Sequence, residues 1–386
     1  MTFLAYLYDS LDLQILAICM PLILTELAIT SAEGGLLASA TMIGTAAGGI
    51  IFGWFAENYG RKKAAALALF EFGIFTFVVY WVDSWAQLMI LRFLQGLGIG
   101  GLWGPIVALI AEHWQPKYRA RAAGCMLSTF AIGGVLAAVM GRYLINAFGW
   151  RWLFVLTGTA CIAALLFWIL VPADKVIKRD ESKKREDTVS LKELFAPGVT
   201  RLTIGATIAA ACQMGGFWGV CTWIPTYLVN VRGMSVEYMS LFSICIFSGA
   251  FVGYYFYAYI ADRFGRRQAL MLAFLMDTII VPLYIFIPDA MFLFWVGPVM
   301  GLSFGGVFGL FGAYFAELFP ERIRAMGSGF AFNIGRGVGA VVTPYTVGVL
   351  ARSHGLGFGI SACAVIFFLG VVTIFFMPET IKKQTA

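Results

Sequence analysis

Gly96-Leu97-Gly98-Ile99-Gly100-Gly101-Leu102-Trp103-Gly104, preceded by Arg92, lies inside an apolar run from about residue 86 to 111. The pattern returns as Gly301-Leu302-Ser303-Phe304-Gly305-Gly306-Val307-Phe308-Gly309, 205 positions further on. The same offset carries Glu57-x-x-Gly60-Arg61-Lys62 onto Asp262-x-x-Gly265-Arg266-Arg267, and Glu112 with Arg119 onto Glu317 with Arg324. Three unlike motifs sharing one offset predict that the 386 residues hold two copies of one unit.

Composition fixes the class. The chain is 60% hydrophobic and only 12% charged, against about 25% charged in a soluble domain. Its apolar stretches run unbroken over about 20 residues and do not alternate, which predicts an all-α membrane protein and not a barrel. The net charge of +6 is read as loop charge facing anionic lipid and cytoplasm. A nucleic-acid partner would need a soluble basic face, so none is expected. The seven Cys fall in apolar runs without metal-ligand spacing and are read as small buried residues. No metal and no cofactor is called for. The first hydrophobic segment carries two Asp and lacks a basic leader, unlike a cleavable signal peptide.

Twelve spans are expected, at about 3–26, 33–56, 64–82, 86–111, 122–146, 151–172, 201–229, 236–259, 268–287, 290–316, 325–350 and 356–377. They divide into an N-terminal half over 1–172, a linker over 173–200 and a C-terminal half over 201–386. Parallel halves related by an axis along the membrane normal are a transporter architecture. Arg61, Lys62 and Lys63 follow span 2, Lys117, Arg119 and Arg121 follow span 4, and Arg263, Arg266 and Arg267 follow span 8. These lie on one side, so both termini are expected in the cytoplasm. Ser190-Leu191-Lys192-Glu193 at the end of the linker resembles a capping box and predicts a short surface helix.

Gly53-x-x-x-Glu57-x-x-Gly60-Arg61-Lys62, with its repeat at Asp262-Arg263-x-Gly265-Arg266-Arg267, resembles the cytoplasmic loop signature of the major facilitator superfamily. Arg92-x-x-Gln95-Gly96-x-Gly98 resembles that superfamily's span-4 motif, and the resemblance covers the whole chain. It implies twelve helices in two pseudo-symmetric six-helix halves. It also implies that Glu57, Arg61, Asp262 and Arg266 form a cytoplasmic gate, with Glu112, Arg119, Glu317 and Arg324 as partners. An acid at one helix end and bases beyond the turn can bond helix termini and each other.

Charge at membrane depth is costly and marks function by default. Asp9 and Asp12 share a face of span 1, Arg92 lies in span 4 and Arg336 in span 11. At a rise of about 1.5 Å per residue, Asp12, Arg92 and Arg336 reach nearly one level, roughly 15–20 Å from the cytoplasmic side. Burial penalises a carboxylate and a neighbouring guanidinium favours it, so a carboxyl between the two can exchange protons. An Arg fits a carboxylate bidentately. Arg336 or Arg92 is therefore expected to hold an anionic substrate, with Asp9 or Asp12 carrying the proton; alternatively, Arg92 ties span 4 to span 1. Cavity lining is expected from spans 1, 4, 7 and 10. Gln95, Trp103, Gln213, Trp218, Trp223, Tyr227 and Asn333 join the substrate list, and Trp223 and Tyr227 fit an outer aromatic belt equally well. Glu71 and Asp277 are further intramembrane acids, read as structural.

Asp9-x-x-Asp12 and Gly335-Arg336-Gly337-x-Gly339 resemble the aromatic acid:proton symporters and related sialic acid transporters, which carry Asp-Gly-x-Asp in span 1; here Ser10 stands in place of that Gly. The resemblance implies proton-coupled symport of a small organic anion, a carboxylate of the aromatic or sugar-acid kind. The partners expected are the substrate, protons and the bilayer of a bacterial inner membrane, with a monomeric chain and no enzyme activity. A cationic, zwitterionic or neutral solute, or a non-transporting sensor on the same fold, are the other readings.

Overall fold

The computed structural model describes residues 1–113, 116–172 and 191–380. The helices are α1 (Thr2–Glu26), α2 (Ser31–Tyr59), α3 (Arg61–Val78), α4 (Trp85–His113), α5 (Pro116–Phe148), α6 (Arg151–Gly158), α7 (Ala160–Leu170), α8 (Thr200–Thr226), α9 (Val236–Phe264), α10 (Arg266–Phe286), α11 (Ala290–Leu318), α12 (Arg324–His354), α13 (Leu356–Ser361) and α14 (Cys363–Phe375). Among the described residues twelve spans are long and apolar enough to cross a membrane; α6 with α7 make one, and α13 with α14 another. Helices answer the chemistry of lipid, where each backbone polar group must be satisfied within its own segment. Spans 6 and 12 thus hold a break that hydropathy does not reveal, at Thr159 and Ala362. Span 7 runs on through a π turn at Tyr227–Val231.

The repeat is kept to the residue. The paired helices α2 and α9 start at 31 and 236 and end at 59 and 264; α4 and α11 start at 85 and 290 and end at 113 and 318. Each pair is 205 apart at both ends. Thr30 and Ser235, also 205 apart, cap α2 and α9 through their hydroxyls. Gly60 and Gly265 turn the chain into α3 and α10 at φ 107° and 116°, a region that L side chains avoid.

The glycine stretches are packing surfaces. A Cβ on Gly96 would meet the Thr41 carbonyl at 2.3 Å, and one on Gly100 the Thr45 carbonyl at 1.9 Å. In the second half Gly301 meets the Ile246 carbonyl at 1.8 Å and Gly305 the Ala250 carbonyl at 2.1 Å. The α2–α4 and α9–α11 contacts are one interface built twice, with backbones close enough that only glycine fits.

The charges break this symmetry. The positions 205 from Asp12, Arg92 and Gln95 hold Phe217, Gly297 and Met300. Those paired with Asp9 and Arg336 hold Met214 and Ala131.

The halves touch at the end of the bundle away from the chain termini. There Ser39 Oγ donates to the Val341 carbonyl at 2.5 Å, and Arg352 Nη2 to Thr30 Oγ1 at 2.5 Å. Arg142 Nη1 reaches the Glu237 carbonyl at 3.1 Å, and Asn146 Nδ2 reaches Glu237 Oε1 at 3.1 Å. Gly35 seats on Pro344 and Gly348 on Ser31. Just before α8, Leu191–Phe195 forms a 3₁₀ helix that buries Leu194. Residues 173–190 of the linker, Ser190 of the expected capping box among them, lie outside the described residues.

Candidate functional site

A cavity of about 360 Å³ lies between the halves. Its walls come from α1 (Tyr6, Asp9, Leu13), α4 (Trp103), α5 (Phe130), α8 (Met214, Trp218), α9 (Tyr254), α11 (Phe308, Phe311, Phe315) and α12 (Ser328, Phe332, Asn333, Arg336). Lining residues late in α11 and early in α12 lie toward the terminal end of the bundle, opposite the closed contacts. Trp103 stacks on Phe332 at 6.3 Å between centroids, joining α4 of one half to α12 of the other. Phe130 meets Phe217, Trp218 and Phe308 at 6.0, 6.2 and 6.3 Å. The result is an aromatic box with one carboxylate from α1 and one guanidinium from α12. A flat apolar ligand with one polar end suits such walls.

Asp12 does not line this cavity. Its Oδ2 accepts from Arg92 Nη1 at 3.0 Å, both side chains being fully buried. Arg92 Nη1 also donates to Gln95 Oε1 at 2.9 Å, and its Nε donates to Thr41 Oγ1 at 3.1 Å. This network staples α1, α2 and α4 within the first half. Arg92 and Gln95, expected among the substrate contacts, stand outside the lining of this cavity and inside that network. Two ions taken out of water persist only when paired and hydrogen-bonded.

Three further expectations are redirected. Trp223 is fully buried and donates from Nε1 to the Pro344 carbonyl at 2.9 Å. Tyr227 donates from its hydroxyl to the Ile285 carbonyl at 2.6 Å. Both secure span 7 to neighbouring helices and line no part of the cavity, each polar tip being consumed by a backbone acceptor. Gln213 is fully buried and does not line the cavity, although its neighbour Met214 does. The walls also extend beyond spans 1, 4, 7 and 10, to Phe130, Tyr254 and the α12 residues. Tyr6, Phe130 and Tyr254 carried no sequence signal, since a buried aromatic in an apolar span reads as core.

Asp277 is fully buried on α10 and accepts from Ser303 Oγ on α11. Glu71 Oε2 lies against Gly98, at the position 205 before Ser303. Each acid sits beside its own helix pair and outside the cavity.

Residues 2–344 match the family model described as the Major Facilitator Superfamily. The chain belongs to the Major Facilitator Superfamily. It is 30% identical over 384 residues to a cis,cis-muconate transport protein of Acinetobacter baylyi, covering 98% of this chain and 93% of the relative. A benzoate transport protein of the same organism is 24% identical over 97% of this chain and 87% of the relative. A sialic acid transporter of Escherichia coli is 24% identical over 98% of this chain and 94% of the relative. Among solved structures, a bacterial homolog of the human lysosomal transporter Spinster superposes with a TM-score of 0.80 at 18% identity, covering 97% of this chain and 95% of that one. The xylose transporter of Escherichia coli superposes with 0.80 at 16% identity, over 100% of this chain and 96% of that one. These two show the fold alone. The protein is an integral membrane transporter of the facilitator type and not an enzyme.

The superfamily's loop motif is fully drawn in the second half. Arg266 Nη1 bonds Asp262 Oδ1 at 3.0 Å, and its Nη2 faces Glu317 Oε1 at 3.4 Å. Two residues missed from the sequence complete the cluster. Glu379 accepts the backbone N–H groups of Arg266 and Arg267 at 2.9 and 3.1 Å, and Thr380 Oγ1 donates to Glu317 Oε2 at 2.6 Å. Glu317 thus serves Arg266 and Thr380, while Arg324 is exposed at the start of α12. In the first half Glu57 is exposed at the end of α2 and Arg61 opens α3. The side chains of Glu112 and Arg119 lie outside the described residues.

Proposed function

We propose that this facilitator is a proton-coupled symporter that imports a small organic anion, its carboxylate on Arg336 and its proton on Asp9. The observation that carries this reading is the pairing of Asp9 with Arg336 in one aromatic-walled cavity. The names of the muconate, benzoate and sialic acid relatives support a carboxylate. Trp103, Trp218 and Asn333 remain as substrate contacts, the rings covering the apolar body. Residues 1–172 and 201–386 act as rocking halves about the linker. With both termini read as cytoplasmic from the basic loops, the cavity faces inward and the closed contacts form the outer seal. The Asp262–Arg266–Glu317 cluster, already bonded within its own half, and its Glu57–Arg61 counterpart then serve as the inner gate, meeting across the halves when the cavity turns outward. The seat is a bacterial inner membrane and the chain works as a monomer.

Thermal stability of the purified protein against small acids, amines and sugars at two pH values tests this. A ligand that binds the folded state raises Tm by mass action. Carboxylates are expected to stabilise, more so at the lower pH. Stabilisation by amines alone would make Asp9 a cation ligand and defeat the reading.

A further inference from the structure

A second hollow, also of about 360 Å³, lies on the seam between the halves, at the end of the bundle away from the chain termini. Leu22 of α1, Ile145 of α5 and Trp150 wall it from the first half, and Val236 at the start of α9 walls it from the second. Its polar side chains are Thr25, Glu26 and Asn146. None of these residues lines the central cavity, so the substrate reading leaves this hollow without a role.

The hydrogen bonds decide what it can hold. Trp150 spends its one N–H on Glu26 Oε2 at 2.6 Å, and Thr25 spends its one hydroxyl hydrogen on the Pro21 carbonyl at 2.9 Å. Asn146 turns Nδ2 to Glu237 Oε1 at 3.1 Å. These three polar side chains keep acceptor capacity in the Glu26 carboxylate, the Thr25 hydroxyl oxygen and Asn146 Oδ1. A second acid, Glu237, directly follows the wall residue Val236. The two nearby arginines do not line the hollow. Arg151 gives Nη1 to Glu26 and Nη2 to the Val82 carbonyl at 2.8 Å, and Arg142 gives Nη1 to the Glu237 carbonyl at 3.1 Å.

An anion would find the donors of Trp150 and Thr25 already committed. A cation rich in N–H would meet a carboxylate and two neutral acceptors, with apolar walls for its body. We infer that this hollow is a binding site for an organic ammonium carrying a small apolar group, separate from the cavity between Asp9 and Arg336. The site is whole only while Val236 of the second half lies against α1 and α5 of the first. A ligand that binds one state alone shifts the population toward it. Such an ammonium therefore keeps this end of the bundle shut and slows the carrier. Its action on uptake from outside rests on the direction read above; its binding does not.

The probe is phenethylammonium, with 2-phenylethanol as its uncharged counterpart, on the full-length wild type, Val236→Trp and Asn146→Lys. Tryptophan at 236 fills the hollow from the second half. Lysine at 146 sets a cation where the probe would sit and keeps a donor for Glu237. Phenethylammonium is expected to raise the Tm of the wild type and, added outside proteoliposomes, to slow carboxylate uptake; the alcohol is expected to do neither. Each variant should bind the ammonium about tenfold more weakly or worse, and its remaining uptake should no longer respond to it. Stabilisation by the transported carboxylate should persist in both, which shows that they fold and that the central cavity is intact. No binding of the ammonium by the wild type would overturn the site. An equal response to the alcohol would overturn its cationic class. Ammonium binding kept in both variants but lost in Asp9→Asn would move the cation to the central cavity, and a carboxylate that fails to bind the wild type would sink the organic-anion reading and leave this site standing.

Discussion

At the scale of single residues, two acids three positions apart have opposite fates. Asp9 lines the cavity, whereas Asp12 is sealed against Arg92. Asp9→Asn should abolish uphill uptake driven by a pH difference while leaving substrate counterflow in place. Uptake against a gradient that persists in this variant would remove Asp9 from coupling. Arg336→Lys should weaken carboxylate binding about tenfold, or ~1.4 kcal/mol, because an ammonium cannot form the paired fork; titration calorimetry with the transported acid reads this. Asp12→Leu strands a buried guanidinium and should cost about 3–5 kcal/mol, with much of it restored in the Asp12→Leu/Arg92→Met double variant. Thermal unfolding of the two proteins decides between this pair and a proton-carrying Asp12. That charge lies at depth was legible in the sequence. Which acid reaches the cavity was not, because α1 is buried almost all round from Asp9 to Pro21. A helix with no exposed face offers no periodicity by which to aim its residues.

At the scale of helices, the stability of the two repeated pairs rests on absent side chains. Gly100→Ala should push the Cβ into the Thr45 carbonyl and lower the unfolding temperature, as should Gly305→Ala against the Ala250 carbonyl. An overpacked site of this kind costs about 1–3 kcal/mol, and a neutral outcome at both would show that the helix pairs can separate without loss. The start of α10 shows a different device. Its cap residue is Gly265, which has no side chain to offer, so the carboxylate of Glu379 arrives from the far end of the chain. Glu379→Ala should destabilise by about 1 kcal/mol, the usual worth of a lost N-cap, read as a lower midpoint in thermal melts. The repeated glycines and the offset of 205 made both helix pairs legible from sequence. The Glu379 cap was not, because a contact spanning 113 residues leaves no local pattern.

At the scale of the whole molecule, the packing of the halves decides which end is sealed. Gly134 of α5 lies under the ring of Phe247 of α9, across the halves and four residues beyond Phe130 of the cavity wall. Cysteines at 134 and 247, in a background lacking the native cysteines, should form a disulfide that stops uptake until it is reduced. Oxidation without loss of uptake would mean that this contact does not open in the cycle. The polar bonds of Arg352 to Thr30 and of Asn146 to Glu237, at the end away from the termini, are solvent-facing. Exposed pairs of this kind are worth little each, so the seal can open and close on a small energy difference.

By itself the sequence determined the class, the twelve spans, the two-fold repeat and the presence of buried charge. These follow from composition and from spacing along one chain, and both are local or periodic quantities. The membership of the cavity was left to tertiary structure, which drew Tyr254, Phe130 and Arg336 to Asp9 and turned Trp223, Tyr227, Gln95 and Arg92 away. In a bundle where nearly every residue of every span is apolar, hydropathy cannot tell a wall of the cavity from the core. Only the three-dimensional meeting of helices from both halves assigns each side chain its neighbour, and with it its chemistry.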